Sequence, residues 1–348
     1  MGNNYKAWEL VLDDFHKPTT PKDKLCFLLN FAVLAPSSHN SQPWKFKIDN
    51  GVISVALELS RLLPHSDSNN RQAYMSLGCA VENILIAADY YNHEIVVIYP
   101  DRTDWGQSVV RLAVKKLEAK HGKLGPRDHL ANFISRRVSN RNPYKLGGLP
   151  LGLIEALTRL DTDGIKIFIV QDGGVRRDIA NVAVAASIEA TGDKGFRQEL
   201  SRYVVPNKTG SCIGMPGFGF GMPTLVSILV PRLMKYVNVN KASARKDRRL
   251  LAEQTPALVV IASKNDQPRN WIRVGQTYER IALLAAKAGF STAMWASPIQ
   301  IGSHYQDLQK ILQTNLKPQA LFRLGCPIVA TPHSPRLTSD QVLGSFPG

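Results

Sequence analysis

No apolar run in this sequence approaches the roughly 20 residues that a membrane-crossing helix needs. The nearest, Met222 to Val230, is short and closed off by Pro223 and Pro231. Met1 to Asp14 carries acidic side chains and lacks the basic-then-apolar order of a secretory leader, so the expected compartment is the cytoplasm. Cysteine is scarce: Cys26, Cys79, Cys212 and Cys326 are far apart, with no C-x-x-C pair and no histidine cluster, which excludes a disulfide framework and a structural zinc site. Cys26 and Cys79 fall in apolar helical patterns and read as small buried hydrophobes. Also missing are a G-x-S-x-G elbow, an H-E-x-x-H helix, an Asp-rich metal loop and a Walker-type phosphate loop. His16, His39, His65, His93, His121, His129, His304 and His333 are scattered without metal-ligand spacing. The usual hydrolytic chemistries drop out, no catalytic side chain is singled out, and any catalysis is expected to rest on a bound cofactor.

Acidic residues are in deficit, 28 against 43 Lys and Arg, for a formal charge of +15. Such a field attracts nucleic acid, anionic lipid or phosphorylated ligands without choosing among them. The densest basic stretch, Lys241 to Arg249, lacks the interleaved aromatics of a single-strand platform and reads as a solvated helix face; no specific nucleic-acid partner is expected. With 348 residues, 44% of them hydrophobic, the chain is globular and long enough for two ordinary domains or one large one.

Thr20-Pro21-Lys22-Asp23 opens an amphipathic helix that ends near Ala35-Pro36. Trp44 to Ile48 and Val52 to Leu57 flank Asp49-Asn50-Gly51 and predict a hairpin. Asn70 to Tyr91 predicts a deeply buried helix, and Glu94 to Tyr99 a strand. A looser repeat follows: a strand at Ile165 to Val170, a helix around Arg176 to Ala190 and a strand at Ala257 to Ala262. Gly78, Glu82, Ile84 and Ala88 align with Gly275, Glu279, Ile281 and Ala285 at identical spacing, either as a true repeat or as two buried helices of similar composition. Pro206 to Pro223 is too rich in glycine for an element and too apolar for an idle loop; a lid and a self-packed surface loop are the two readings.

Two segments collect polar donors that neither periodicity explains. Ala35-Pro-Ser-Ser-His-Asn-Ser-Gln-Pro-Trp44 is bracketed by prolines, and its Ser37, Ser38, Asn40 and Gln42 give and accept hydrogen bonds, which suits a heteroaromatic ring. Ile134 to Tyr144 places Arg136, Arg137 and Arg141 beside Ser139 and Asn140. Guanidinium forks suit phosphate oxygens, although a solvated basic face has the same composition.

Together the two segments resemble the FMN-contact motifs of the nitroreductase superfamily. The order here, serine-asparagine-glutamine loop first and double arginine second, with Arg71 to Gly78 and Phe322 to Pro327, resembles the double-length Acg-type branch. The resemblance implies an α+β, nitroreductase-like fold of two related halves, 1–130 and 131–348, the second with a lid-like insertion at about 203–224. The halves would form an intrachain pseudo-dimer, each with an antiparallel-rich sheet wrapped by helices, and further homodimerisation is left open. Each motif occurs once, so one FMN per chain is expected. Carried over by position, Arg136, Arg137, Ser139 and Arg323 would hold its phosphate and ribityl chain, with Ser37, Ser38, Asn40 and Gln42 approaching from the first half. Met294, Trp295, Ala296 and Ser297 would lie beside its ring. Val138 stands where the family has a serine, so one phosphate hydroxyl is missing unless Ser139 supplies it. The implied activity is hydride transfer from NADH or NADPH through FMN to a nitro, quinone or similar small acceptor, and the alternative is a lid-blocked protein that sequesters FMN with little turnover.

Overall fold

The computed structural model describes residues 2–99, 109–115, 127–162, 164–237 and 240–346; His121 lies outside them. Thr20 caps helix α1 (Pro21–Ala32) by accepting from the Asp23 amide at 3.1 Å, with Pro21 in the first turn as expected. Strands β1 (Trp44–Asp49) and β2 (Val52–Leu57) form the expected hairpin. Helix α2 (Arg71–Tyr90) follows, and β3 (Glu94–Ile98) and β4 (Val110–Lys115) complete an antiparallel sheet of order β1-β2-β4-β3. In β1, Trp44 and Phe46 are buried while Lys47 is exposed, the alternation of a sheet covered on one face.

The short helices α3 (Ala131–Ile134) and α4 (Leu151–Thr158) lead to β5 (Ile165–Val170), α5 (Gly173–Gly192) and α6 (Lys194–Tyr203). Strands β6 (Val204–Val205) and β7 (Met215–Pro216) and helices α7 (Thr224–Met234) and α8 (Asn240–Ala252) come next. The chain continues through β8 (Ala257–Ser263), α9 (Pro268–Lys287), β9 (Ser291–Met294), α10 (Ser297–Gln300), α11 (His304–Ile311), β10 (Lys317–Gly325) and α12 (Ser339–Val342). The second sheet is antiparallel with order β5-β8-β10-β9. β8 is buried along its whole length because the sheet is covered on both faces. Ala257, Val259 and Ile261 join the core around α2 and α9, whereas Leu258 and Val260 join a second core with Ile179 of α5 and Leu308 of α11.

Both sheets thus run first-second-fourth-third, with a 20-residue helix between the second and third strands. The aligned residues of α2 and α9 occupy equivalent places in this repeated topology, which favours the repeat over chance composition. The two helices cross at their matched glycines. A methyl group on Gly78 would strike the Ile272 carbonyl, and one on Gly275 would strike the Met75 carbonyl, so each glycine meets the residue three before the other. Close backbone approach, not turn geometry, requires both glycines.

One expectation needs correction. Pro206 to Pro223 is not devoid of elements: Met215–Pro216 pairs in parallel with Val204–Val205, and Gly217–Phe220 forms a 3-10 turn. Asn207 secures this segment by donating through Nδ2 to the Met222 carbonyl at 2.9 Å. Helix α7 runs through Pro231 to Met234, although the apolar run itself stops at Pro231, with Arg232 next. All four cysteines are free, and no helix among the described residues is long and apolar enough to cross a membrane. Beyond β10 the chain returns over the first half, where Leu343 bridges Phe46 and the Ser339 hydroxyl bonds Asn30 Oδ1 at 2.7 Å.

Candidate functional site

Between α1 and β1, His39, Asn40 and Gln42 take φ of 52, 54 and 52°. Such left-handed conformations cost side-chain-bearing residues ~1–3 kcal/mol each and persist only where the surroundings enforce them. Hydrogen bonds supply the enforcement. Asn40 Nδ2 donates to the carbonyls of Gly214 and Pro335, both at 2.9 Å, while its Oδ1 accepts from Arg336 at 2.6 Å. Gln42 Nε2 donates to the Cys212 carbonyl at 2.7 Å, and its Oε1 accepts from the Leu337 amide at 2.9 Å. Both amide side chains are therefore committed to clamping the Gly-rich segment and the C-terminal strap onto this loop. Gly214, at φ 102°, allows the segment to turn against Asn40. Ser37 Oγ accepts from the Gln42 amide at 2.9 Å, and Ser38 is bonded to Gln72 in the first turn of α2.

The arginine motif follows α3. Arg136 is exposed, its guanidinium 5.6 Å from the Phe133 ring centre. Arg137 is buried, donates to the Leu34 carbonyl at 2.8 Å and pairs with Glu279 of α9 at 3.2 Å. Burial pushes the Glu279 carboxyl up to about 7, against the pull of Arg137. Arg141 lies 4.8 Å over the Phe220 ring and 3.6 Å from Met215 Sδ, so both of its contacts come from the Gly-rich segment. Arg323, 1% exposed, stacks 4.5 Å over Tyr144 and donates to the Asn140 and Asn142 carbonyls.

Ser37 and Asn40 from the first motif meet Arg137, Val138, Ser139 and Arg141 from the second in one cleft. Its remaining walls are Pro36, Trp8, the Gly-rich segment through Met215, Phe218 and Gly219, and the C-terminal strap through Thr331–Ser334 and Arg336. Trp8 stacks on His333 with ring centres 3.9 Å apart, and Arg336 sits 5.1 Å over Trp8. No carboxylate lines the cleft among the described residues, whereas three guanidiniums do. Their mutual repulsion registers in the protonation of the walls. Burial, then Arg137, pushes Arg336 down to about 9; burial, then Arg137 and Arg336, pushes His333 down to about 4. His39, beside the cleft, is also held down to about 4, chiefly by burial. Both imidazoles are neutral at pH 7. An anion with several acceptor oxygens, such as a phosphate, relieves this cationic surplus, and the guanidinium and hydroxyl donors fit it. Val138 brings no hydroxyl, but Ser139 lines the cleft.

The other expected residues are not gathered there. Gln42 points into the clamp, Ser38 turns to Gln72 of α2, Arg136 faces outward and Arg323 bonds the carbonyls of the arginine loop. Met294 packs into the central core. Trp295 Nε1 donates to Ser187 Oγ of α5 at 3.1 Å, and that hydroxyl bonds Ser297 Oγ at 3.1 Å, with Ala296 between them. This loop joins the first motif through a relay: Gln300 to Asp67 at 3.2 Å, Asp67 to the Gln72 amide at 3.0 Å, and Gln72 to Ser38. Met215 and Phe218 belong to the Gly-rich segment read from the sequence as a lid or a self-packed loop, whereas the sequence gives no site role to Trp8, His333 and Arg336. A signal existed for the last two, because Pro332-His-Ser-Pro-Arg336 repeats the proline-bracketed polar composition of the first motif.

No family model matches the chain. One provisionally named NAD(P)H nitroreductase of Mycobacterium tuberculosis is 24% identical over 322 residues, covering 91% of this chain and 90% of its own. Another, named Acg, is 22% identical over 318 residues, covering 88% and 92%. An uncharacterised protein of the same organism is 23% identical over 325 residues, 90% of each chain. Among solved structures, iodotyrosine deiodinase bound to FMN and 3-iodo-L-tyrosine overlaps 60% of this chain and 95% of its own, at 15% identity and a TM-score of 0.38. The FMN-dependent nitroreductase NfnB of Mycobacterium smegmatis, in complex with NADPH, overlaps 57% and 88% at 16% identity and a TM-score of 0.38. The sequence relatives bear out the resemblance read from the two motifs: along about nine-tenths of its length the chain is similar to the Acg-type nitroreductases.

Proposed function

We propose that this protein is an FMN-dependent oxidoreductase that uses NADH or NADPH, with its two halves acting as an intrachain pseudo-dimer around a single flavin site. The observation that carries the reading is the meeting of Ser37 and Asn40 with Arg137, Ser139 and Arg141 in one cleft without a lining carboxylate among the described residues. Bound FMN would supply the two-electron chemistry, taking hydride from the nicotinamide and delivering it to a nitro, quinone or similar small acceptor. Arg137, Arg141 and Ser139 would hold the phosphate, and Ser37 would contact the ribityl or ring edge. Arg323 acts by positioning the Asn140 and Asn142 carbonyls, and Ser38, Gln42 and Asn40 by fixing the loop and its clamp. Arg136 and the loop Met294, Trp295, Ala296 and Ser297 do not line the cleft, so no flavin contact is assigned to them. The protein need contribute no acid or base, which agrees with neutral His39 and His333.

A second reading, sequestration of FMN with little turnover, is favoured by the clamp itself, because the amides of Asn40 and Gln42 hold the Gly-rich wall closed. A visible spectrum of the purified protein reconstituted with FMN, taken before and after anaerobic NADH or NADPH, separates the two. Bound flavin that bleaches promptly supports the oxidoreductase. Bound flavin that stays oxidised supports sequestration, and failure to bind FMN, or binding of more than one per chain, sinks the single composite site.

A further inference from the structure

Helix α7 is inside out. Its buried positions are Ser227 and Pro231, four apart, while Leu225, Val226, Ile228, Leu229 and Leu233 are 41 to 77% exposed. Tyr236 and Val237 continue the exposed apolar surface at 81% and 52%. Burial of a serine stripe is explained by its bonds: Ser227 Oγ accepts from the Asn207 amide at 3.0 Å and donates to the Thr224 carbonyl at 2.6 Å, which locks α7 to the Gly-rich segment. Exposure of the leucines is not explained by folding, since aliphatic surface of this kind is stabilised only when removed from water.

The surroundings identify what covers it. Between Glu199 and Asp247 the chain contains no Asp or Glu at all, and the exposed charges next to the apolar face are Arg232 and Lys235. Along α8, Arg245, Lys246, Arg248 and Arg249 are exposed as well. Aliphatic side chains with exposed cations on the same helix and on the next helix of the chain match an anionic bilayer surface, in which leucines enter the acyl boundary and arginines meet headgroup phosphates. Nucleic acid would satisfy the arginines and leave the leucines in water. A second copy would cover the leucines while bringing like charges together.

We infer that α7, with the basic face of α8, is a docking surface for an anionic membrane, peripheral and not spanning. The full chain is tested by flotation with vesicles of phosphatidylcholine alone and of phosphatidylcholine and phosphatidylglycerol in equal parts. The protein floats with the second and not the first, and added salt weakens the association. Leu225→Ser with Leu229→Ser, both at exposed positions, lowers partitioning roughly tenfold while the far-UV circular dichroism is unchanged. Arg245→Glu with Arg248→Glu abolishes the preference for the anionic vesicles. Failure of the wild type to float overturns the proposal, as does equal binding to both vesicle types. An unaltered affinity of the leucine variant would reduce the effect to adsorption by net charge and overturn it too. So would a lipid-free dimer that the same leucine variant dissociates, because the surface would then be a contact between copies.

Discussion

Gly275→Ala tests the central feature of the fold, the reciprocal crossing of α2 and α9. The added methyl group meets the Met75 main-chain carbonyl, which has no rotamer through which to retreat, so the helices must separate. Overpacking in a core costs ~1–3 kcal/mol. Separation also loosens Leu77, Val81, Ile281 and Leu283, all fully buried. Alanine returns about 1 kcal/mol through its higher helix propensity, leaving a net destabilisation of about 1–2 kcal/mol once the loosened packing is included. Gly152, in α4 with open space where its Cβ would stand, is the control. Gly152→Ala is expected to stabilise by about 0.5 kcal/mol. Urea unfolding followed by circular dichroism gives the three midpoints at constant m. Gly78→Ala should match Gly275→Ala, and the double variant should cost less than the sum, because one separation relieves both collisions. If Gly275→Ala unfolds at or above the wild-type midpoint, the close crossing is wrong and the repeat loses its physical basis.

Further outcomes follow from the cleft. His39 titrates near 4 in the folded chain against 6.5 when free, so the unfolded state binds more protons between those values. Its contribution is complete above pH 6.5 and is lost as pH falls toward 4, by up to about 3 kcal/mol. His39→Asn, which tolerates the left-handed backbone, should flatten that part of a pH series of urea midpoints. Arg141→Ala should weaken FMN binding roughly tenfold or more in a fluorescence titration while leaving riboflavin, which lacks the phosphate, nearly unaffected; equal losses for both would remove Arg141 from the phosphate site. Gln42→Glu keeps the acceptor for the Leu337 amide but sets an anion against the Cys212 carbonyl. Tryptic cleavage after exposed Lys208 should then quicken several-fold, and unchanged cleavage would mean that the clamp does not hold the Gly-rich wall.

The composite cleft was only partly legible in the sequence. Ser37, Asn40, Arg137 and Ser139 carry recognisable polar chemistry between prolines and beside a short helix, and the structure brings them together. Arg336 and His333 arrive from almost 300 residues away, and no local pattern states where a tail will dock. Asn40 and Gln42 show the other limit. Their residue types announce hydrogen bonding, but whether an amide faces a ligand or the chain's own carbonyls depends on which segments lie within 3 Å, a property of packing alone.

What the sequence determined by itself is local or periodic: the Thr20 cap, the β1-β2 hairpin, the all-apolar β8 and the glycine-glutamate spacing shared by α2 and α9. Each follows from the geometry of a few neighbouring residues. Tertiary structure alone decided that those glycines touch, that the Gly-rich segment is an ordered wall, and that α7 turns its leucines outward and its serine in. Helical periodicity records that a face is apolar; which face is buried depends on what the rest of the chain brings against it.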